Sequence, residues 1–369
     1  MKIGWFTFAD VPAGDASAAR RRIPELIEEI ALADEVGLDI FGLGEHHHPG
    51  FAAPAPAVIL AAAAARTKNI RLTSAVSVLG SDDPVRVFEQ FTALDLVSGG
   101  RAEIMAGRGA LLDSFRIFGH DLADYDALFE EKLKLLLDLR GTGPVTWSGR
   151  FRPPLEGELI VPRPVQNPLP VWLAVGGTPS SVVRAARLGL PLALGTIGGD
   201  ATHFAPFVEL YREGIERFGQ PALPIAVTLH GFVADTSQKA GDIYFPADAV
   251  LFNTAGAARG VRGVTAAHIA AKNGPGSMYA VGSPQQVIEK LLHQHEILGH
   301  QSTMLQLAVG PIEHRDIMRA IELLGTEVAP AVRAEVARRQ RSRTPETSPF
   351  ALLPSADGAG MCNVDGECH

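Results

Sequence analysis

Glu45-His46-His47-His48 puts a carboxylate and three imidazoles in four consecutive residues. Imidazole titrates near neutral pH, so such a run can give or take a proton in water at pH 7. Three consecutive histidines cannot all face one site, and a solvated polar loop is the plain alternative. A second group suits an anion. Gly176-Gly177-Thr178-Pro179-Ser180-Ser181 precedes a helical stretch. Free backbone amides, hydroxyls and a positive dipole end there would make a phosphate cradle. Arg108, between Gly107 and Gly109, could approach the same anion with a bidentate fork. An ordinary helix cap and a surface ion pair are the competing readings.

These residues need a scaffold that gathers them. Ile3 to Phe8, Leu38 to Leu43, Ile70 to Leu79 and Arg101 to Ala106 read as strands, as do Pro170 to Val175, Pro191 to Leu194, Ile225 to Val233 and Thr303 to Val309. Helices are predicted over Ala18 to Val36, Ala55 to Arg66, Pro84 to Val97, Asp124 to Leu139, after Ser181 to Arg187, Ala205 to Phe218, Ser283 to Leu298, Glu313 to Leu324 and Thr326 to Arg339. Strand-helix alternation repeated eight times over about 330 residues predicts an α/β chain folded as a closed parallel (β/α)8 TIM barrel. An open doubly wound sheet is the competitor. It would want Gly-x-Gly-x-x-Gly after the first strand, where the chain reads Thr7-Phe8-Ala9-Asp10-Val11-Pro12.

The expected organisation is one domain over 1–340, with insertions at about 141–170 and 235–282 over the carboxyl face, the second partly mobile, and a disordered tail over 341–369. A barrel brings the carboxyl ends of all its strands to one face. Glu45-His46-His47, Ser74-Ala75-Val76, Gly107-Arg108-Gly109, Gly176 to Ser181 and Gly195-Thr196 would then ring one mouth. Together they favour a phosphorylated cofactor.

Composition narrows the function classes. The formal net charge is −8 and no basic stripe interleaves with aromatics, so nucleic acid is not expected as a partner. No apolar run is long enough to span a bilayer, and the start, Met1-Lys2-Ile3-Gly4-Trp5-Phe6, reads as a strand. Cys362 and Cys368 are the two cysteines, both near the end of the chain, which fits a cytoplasmic protein without a disulfide framework.

Several of these stretches resemble the bacterial luciferase-like flavin monooxygenases: Glu45-His46-His47, Pro84-Val85-Arg86, Ser98-Gly99-Gly100-Arg101, Gly107-Arg108-Gly109, Leu229 to Asp235, Val281 to Pro284 and Gly325 to Pro330. The resemblance covers roughly residues 1 to 335. It implies a flavin-binding barrel, usually a homodimer, that uses reduced FMN from a separate NAD(P)H-dependent reductase. It also implies that dioxygen adds at flavin carbon C4a, to give the (hydro)peroxide that oxidises a small organic substrate. His46 matches the family's catalytic histidine and His47 its neighbour, with Glu45 orienting an imidazole or pairing with an arginine. Ala75-Val76 matches a non-prolyl cis peptide under the flavin ring. Arg108, Gly176, Gly177, Thr178 and Ser180 match the phosphate region, and Gly195 and Thr196 lie where strand six passes the ring. Gly107 stands where light-emitting luciferases carry a cysteine, so luminescence is not expected.

Three rival readings remain at this point. A relative using a deazaflavin would pass hydride and not use oxygen. A metal-dependent barrel hydrolase would use His46, His48 and His230, although loop histidines lack the spacing of a zinc helix, and no metal ligand is assigned. A flavin-binding protein without turnover is the last. His230 itself reads as a hydrogen-bonded core residue.

Overall fold

In the computed structural model, residues 1–109, 113–196, 198–257 and 263–343 are described. Eight parallel strands form the barrel: β1 Lys2–Thr7, β2 Ile40–Leu43, β3 Arg71–Ser74, β4 Ala102–Gly107, β5 Val171–Val175, β6 Leu192–Thr196, β7 Ile225–Val233 and β8 Ser302–Ala308. Each pairs with the next, and β8 pairs with β1, so the sheet closes. The helices are α1 Ala16–Glu35, α2 Pro56–Ala64, α3 Pro84–Ser98, α4 Tyr125–Asp138, α5 Pro179–Arg187, α6 Ala201–Arg217, α7 Ser237–Ala257, α8 Pro284–Leu298, α9 His314–Leu323 and α10 Ala329–Arg343. The barrel expected from the alternation is the fold observed.

Strand parity separates two cores. Phe6, Ile40, Ala75, Met105, Ala193, Ala226 and Met304 meet in one cluster, with Trp172 and Ala174 against it. Every strand or its continuation contributes, so this cluster fills the barrel. The alternate residues, such as Trp5, Phe41, Leu72 and Leu194, join the larger core beneath the helices. A residue two or four places further along a strand keeps the same face. That rule decides which side chains reach the mouth.

Local sequence explains the helix ends. Asp83 caps α3 by accepting from the amides of Val85 and Arg86, with Pro84 in the first turn. Ser283 does the same for α8 through Gln286. Gly99 and Gly100 have φ of 66° and 93° after α3, a backbone that glycine adopts without cost.

The described residues of 235–282 carry regular structure. The segment begins with the long helix α7, continues through the short helix Ala266–Ala270, and ends in the strand Ala280–Gly282, which adds to the end of β7. Pro246 within α7 hides the helix from a reading that treats proline as a breaker. Residues 141–170 carry a hairpin, with Val145–Trp147 antiparallel to Leu155–Glu158. Most of the tail, with Cys362, Cys368 and His369, lies outside the described residues.

Candidate active site at the barrel mouth

The three histidines after β2 have three different fates. His47 Nε2 lies 2.9 Å from Glu45 Oε1, and Glu45 Oε2 accepts the amide of Val78 at 2.9 Å. The buried Glu45 therefore ties the histidine loop to the chain after β3. It orients an imidazole; no arginine is bonded to it among the described residues. His48 Nδ1 accepts the amide of Gly50 at 3.2 Å. His46 is packed between Phe8 and Phe51, both at 4.5 Å between ring centroids. Burial and the neighbouring His47 and His48 pull its pKa down to about 4. At neutral pH His46 is an uncharged imidazole, better suited to hydrogen bonding than to taking a proton outright.

The Ala75–Val76 peptide is cis. It stands between β3 and the short strand Ser77–Val78, which pairs with β4. Glycines crowd against it because nothing larger fits. A Cβ on Gly107 would lie 2.6 Å from Val76 Cγ2, one on Gly42 2.8 Å from Ala75 Cβ, and one on Gly44 2.9 Å from the Ala75 carbonyl. Val76 thus takes the space that a cysteine side chain at position 107 would need.

Arg108 leaves the end of β4 and reaches across to α5. Its guanidinium lies 2.6 Å from Asp126 Oδ1 and donates to Ser181 Oγ at 3.4 Å. Ser181 belongs to the first turn of α5, next to the glycine-threonine turn. The predicted anion groups after β4 and β5 are therefore adjacent. Gly176 has open space where a side chain would be, and Gly177 has φ of 96°. Thr178 is the N-cap residue but makes no side-chain cap bond, and neither its hydroxyl nor that of exposed Ser180 is bonded among the described residues. This turn has the bare backbone and uncommitted hydroxyls that a phosphate group needs. Gly195 and Thr196 end β6; Thr196 is fully buried and its Oγ1 donates to the Thr228 carbonyl at 3.0 Å.

The metal-hydrolase geometry is not formed. His46 is enclosed by rings, His48 holds a backbone amide, and His230 pairs with other residues. No cluster of three or more His, Cys, Asp or Glu able to hold an ion occurs among the described residues.

Two cavities of about 210 and 190 Å3 open where β1 and β8 end, and both are lined by Asp10, Pro12, Gly310 and Pro311. Phe51 lines the second and also packs on His46. Neither reaches Arg108 or the glycine-threonine turn. Asp10 was not singled out by sequence, since one aspartate in a proline-rich loop carries no pattern. Its Oδ2 is buried without a partner. Burial, with a smaller push from Asp248, raises its pKa to about 7 against the pull of the Gly310 amide. Between the ordinary value and about 7, the folded chain holds a proton that the unfolded chain releases. Stability therefore falls as pH rises through that window. His46 acts oppositely: below its ordinary value the unfolded chain holds the proton, so stability rises with pH above about 4. Asp10→Asn isolates the first effect. Denaturant unfolding of parent and variant is expected to diverge by on the order of 3 kcal/mol as pH rises to neutrality; a difference independent of pH would contradict the assignment.

Fold and mouth together define a (β/α)8 protein whose polar groups gather at the carboxyl ends of the strands, where this architecture places its sites. The family model described as luciferase-like monooxygenase matches residues 1–301, and the chain belongs to that family. An uncharacterized protein, y4wF, of Sinorhizobium fredii is 32% identical over 48% of this chain and 52% of its own length, so the match spans about half of that relative. The luciferase-like monooxygenase of Escherichia coli K12 is 28% identical over 65% of this chain and 69% of its own. Among solved structures, the monooxygenase RslO1 of Streptomyces bottropensis superposes with a TM-score of 0.77 at 25% identity, covering 89% of this chain and 99% of that one. The oxygenating constituent of 3,6-diketocamphane monooxygenase from Pseudomonas putida, in complex with FMN, gives 0.74 at 20% identity over 89% and 98%. An F420-dependent secondary alcohol dehydrogenase gives 0.71 at 18% over 90% and 98%; these last two speak for the fold. No helix among the described residues is long and apolar enough to cross a membrane.

Proposed function

We propose that the protein is an FMN-dependent monooxygenase that takes reduced FMN from a separate NAD(P)H-dependent reductase and oxidises a small organic substrate with dioxygen in the cytoplasm. The observation that carries this reading is the junction of Arg108 with the first turn of α5. That junction offers one guanidinium, half neutralised by Asp126, beside backbone and hydroxyl donors of Gly176, Gly177, Thr178 and Ser180, a set suited to one phosphate. The flavin ring would lie over Ala75 and Val76 and past Gly195 and Thr196, where glycines keep the walls bare. Reduced FMN supplies the electrons that activate dioxygen. His46, uncharged and beside the ring site, would hydrogen-bond to oxygen or substrate, and Phe8 and Phe51 keep water away from it. Glu45 and His47 would fix the loop that carries it.

A reduced deazaflavin is the second reading, favoured by the F420-dependent dehydrogenase that shares the fold. Titrating the protein with reduced FMN and with reduced deazaflavin separates the two: tight binding of FMN alone supports the first, and of the deazaflavin alone the second. A homodimer is part of the proposal, supported by exposed Val58 on α2 and by Leu96 and Val97 at the end of α3. The small-residue run Ala61 to Ala65 contributes less than its composition suggests, because Ala63 and Ala64 are buried within the chain itself. Light scattering that gave a monomer mass would remove the dimer.

A further inference from the structure

His230 lies four residues beyond Ala226 on β7, and Ala226 belongs to the cluster inside the barrel. By strand parity His230 faces the same way, nearer the mouth. It pairs in register with Gln306 of β8, itself two places beyond the inward Met304. His230 is 5% exposed, and its ring stacks against Tyr279 and Phe252 at 5.1 and 5.6 Å.

The hydrogen-bond arithmetic around this ring fixes its tautomer. Tyr244 Oη donates its one hydrogen to the Gln306 carbonyl at 2.9 Å. The same oxygen lies 3.3 Å from His230 Nδ1 and can only accept there. Asp248 Oδ1 is 3.1 Å from Nδ1. That approach is off the line of a full hydrogen bond, since Oδ1 retains an unpaired position, so the carboxylate acts on the ring chiefly through its charge. Asp248 Oδ2 accepts from Tyr279 Oη at 3.1 Å, and Asp248 is fully buried. The accepting Tyr244 hydroxyl and the Asp248 charge, both at Nδ1, place the proton on that nitrogen and leave a lone pair on Nε2. Nε2 has no hydrogen-bond partner among the described residues, and the residue as a whole is 5% exposed. A carboxylate behind one ring nitrogen and a second nitrogen with no partner among the described residues is the arrangement of a general base.

We infer that His230, positioned by Asp248 and Tyr244, is the proton acceptor of the site, and that it acts on a substrate bearing an ionisable hydroxyl such as a phenol or enol. In the step, Nε2 forms a bond to the hydroxyl proton, the O–H bond breaks with its electron pair left on oxygen, and the imidazolium is balanced by Asp248. Nothing is oxidised or reduced. Phe8, Phe51 and Phe252 surround the region and would take a flat, apolar body. The charged and titratable groups around the ring are Asp248 and Tyr244 from α7, Tyr279 before the Ala280–Gly282 strand, Lys272 over the Phe252 ring, and Asp10, which senses Asp248. The inference deepens the monooxygenase reading and rests on it for the role of the proton transfer; the tautomer does not depend on it.

The test uses the full chain, with and without FMN, and 4-nitrophenol as probe, because its anion absorbs visible light and its neutral form does not. At mildly acidic pH the ratio of bound anion to bound neutral probe is expected to be about tenfold higher in the parent than in His230→Gln or Asp248→Asn. Nitrogen NMR on histidine-labelled protein is expected to find the His230 proton on Nδ1 in the parent and to lose that preference in Asp248→Asn, a change that a purely structural role would not produce. A proton on Nε2, equal anion ratios in all three proteins, or no bound probe would overturn the inference. FMN that binds while the probe stays neutral defeats this inference alone. An ionised probe without FMN binding defeats the flavin reading and leaves the base in place.

Discussion

Alanine at His46 is expected to lower substrate oxidation by about 10^2- to 10^4-fold while leaving FMN affinity within about twofold, the range that loss of a positioned hydrogen-bonding or acid-base group produces. The basis is the environment of the ring. His46 lies between Phe8 and Phe51, and its side chain makes no hydrogen bond among the described residues, so its polar edge is free for a ligand. With its pKa near 4, it carries no charge at neutral pH, and protonating it would cost part of the hydrogen-bonding edge that the site needs. Turnover should therefore decline only under strongly acidic conditions on its account. The groups proposed to hold the phosphate are elsewhere, after β4 and β5, which is why binding should survive. The measurement is steady-state oxidation of an accepted substrate with a flavin reductase supplying reduced FMN, next to an FMN titration of the same variant. Parent-level turnover in His46→Ala would refute the role.

Arg101→Met is expected to cost about 3–5 kcal/mol of stability, the range for breaking a buried polar network by removing the charged partner. Arg101 uses all five guanidinium donors. Nε donates to the Ser98 carbonyl at 2.9 Å, Nη1 to Thr67 Oγ1 and the Ile70 carbonyl at 2.9 and 2.8 Å, and Nη2 to the carbonyls of Ala64 and Thr67 at 3.0 and 3.1 Å. Ala64 ends α2, so the positive charge also sits at the negative end of that helix dipole. One side chain thus pins the end of α2, the entry to β3 and the exit of α3. Methionine keeps much of the volume but leaves four carbonyls and a hydroxyl short of a buried donor. Urea unfolding at neutral pH would read the loss; a shift under about 1 kcal/mol would mean that water replaces the guanidinium. Ser98-Gly99-Gly100-Arg101 was part of the family resemblance, and its function in the fold is this clamp.

What could be read from sequence follows from what is local. Strand alternation and strong caps are local, so β7 matches its reading residue for residue, and Pro84 and Ser283 mark their helices. The Glu45-His46-His47 run and the Arg108 and Gly177 turns were visible because a barrel must bring strand ends together. The environment of each ring was not visible. Phe8 and Phe51 come from separate loops, and only folding sets them about His46 and moves its pKa from the neutral range. Arg108 meets Asp126 because α4 returns over β4, a relation that no spacing encodes. Asp248 and Tyr244 were hidden twice over, by the proline in α7 and by lying on a segment read as a partly mobile insertion. Without them His230 looks like a core histidine, and it is one in burial and bonding; the polarity of its partners adds the chemistry.

We propose that the guanidinium after β4 and the glycine-threonine turn after β5 hold the phosphate of a flavin. Titration of flavin fluorescence tests it most directly, with FMN added to the parent and to Arg108→Gln. Saturable FMN binding by the parent is expected, weakened by about 10- to 100-fold in the variant, equivalent to the ~1.5–3 kcal/mol of a hydrogen bond to a charged group. Equal affinity in the two proteins, or no FMN binding by the parent, would contradict it.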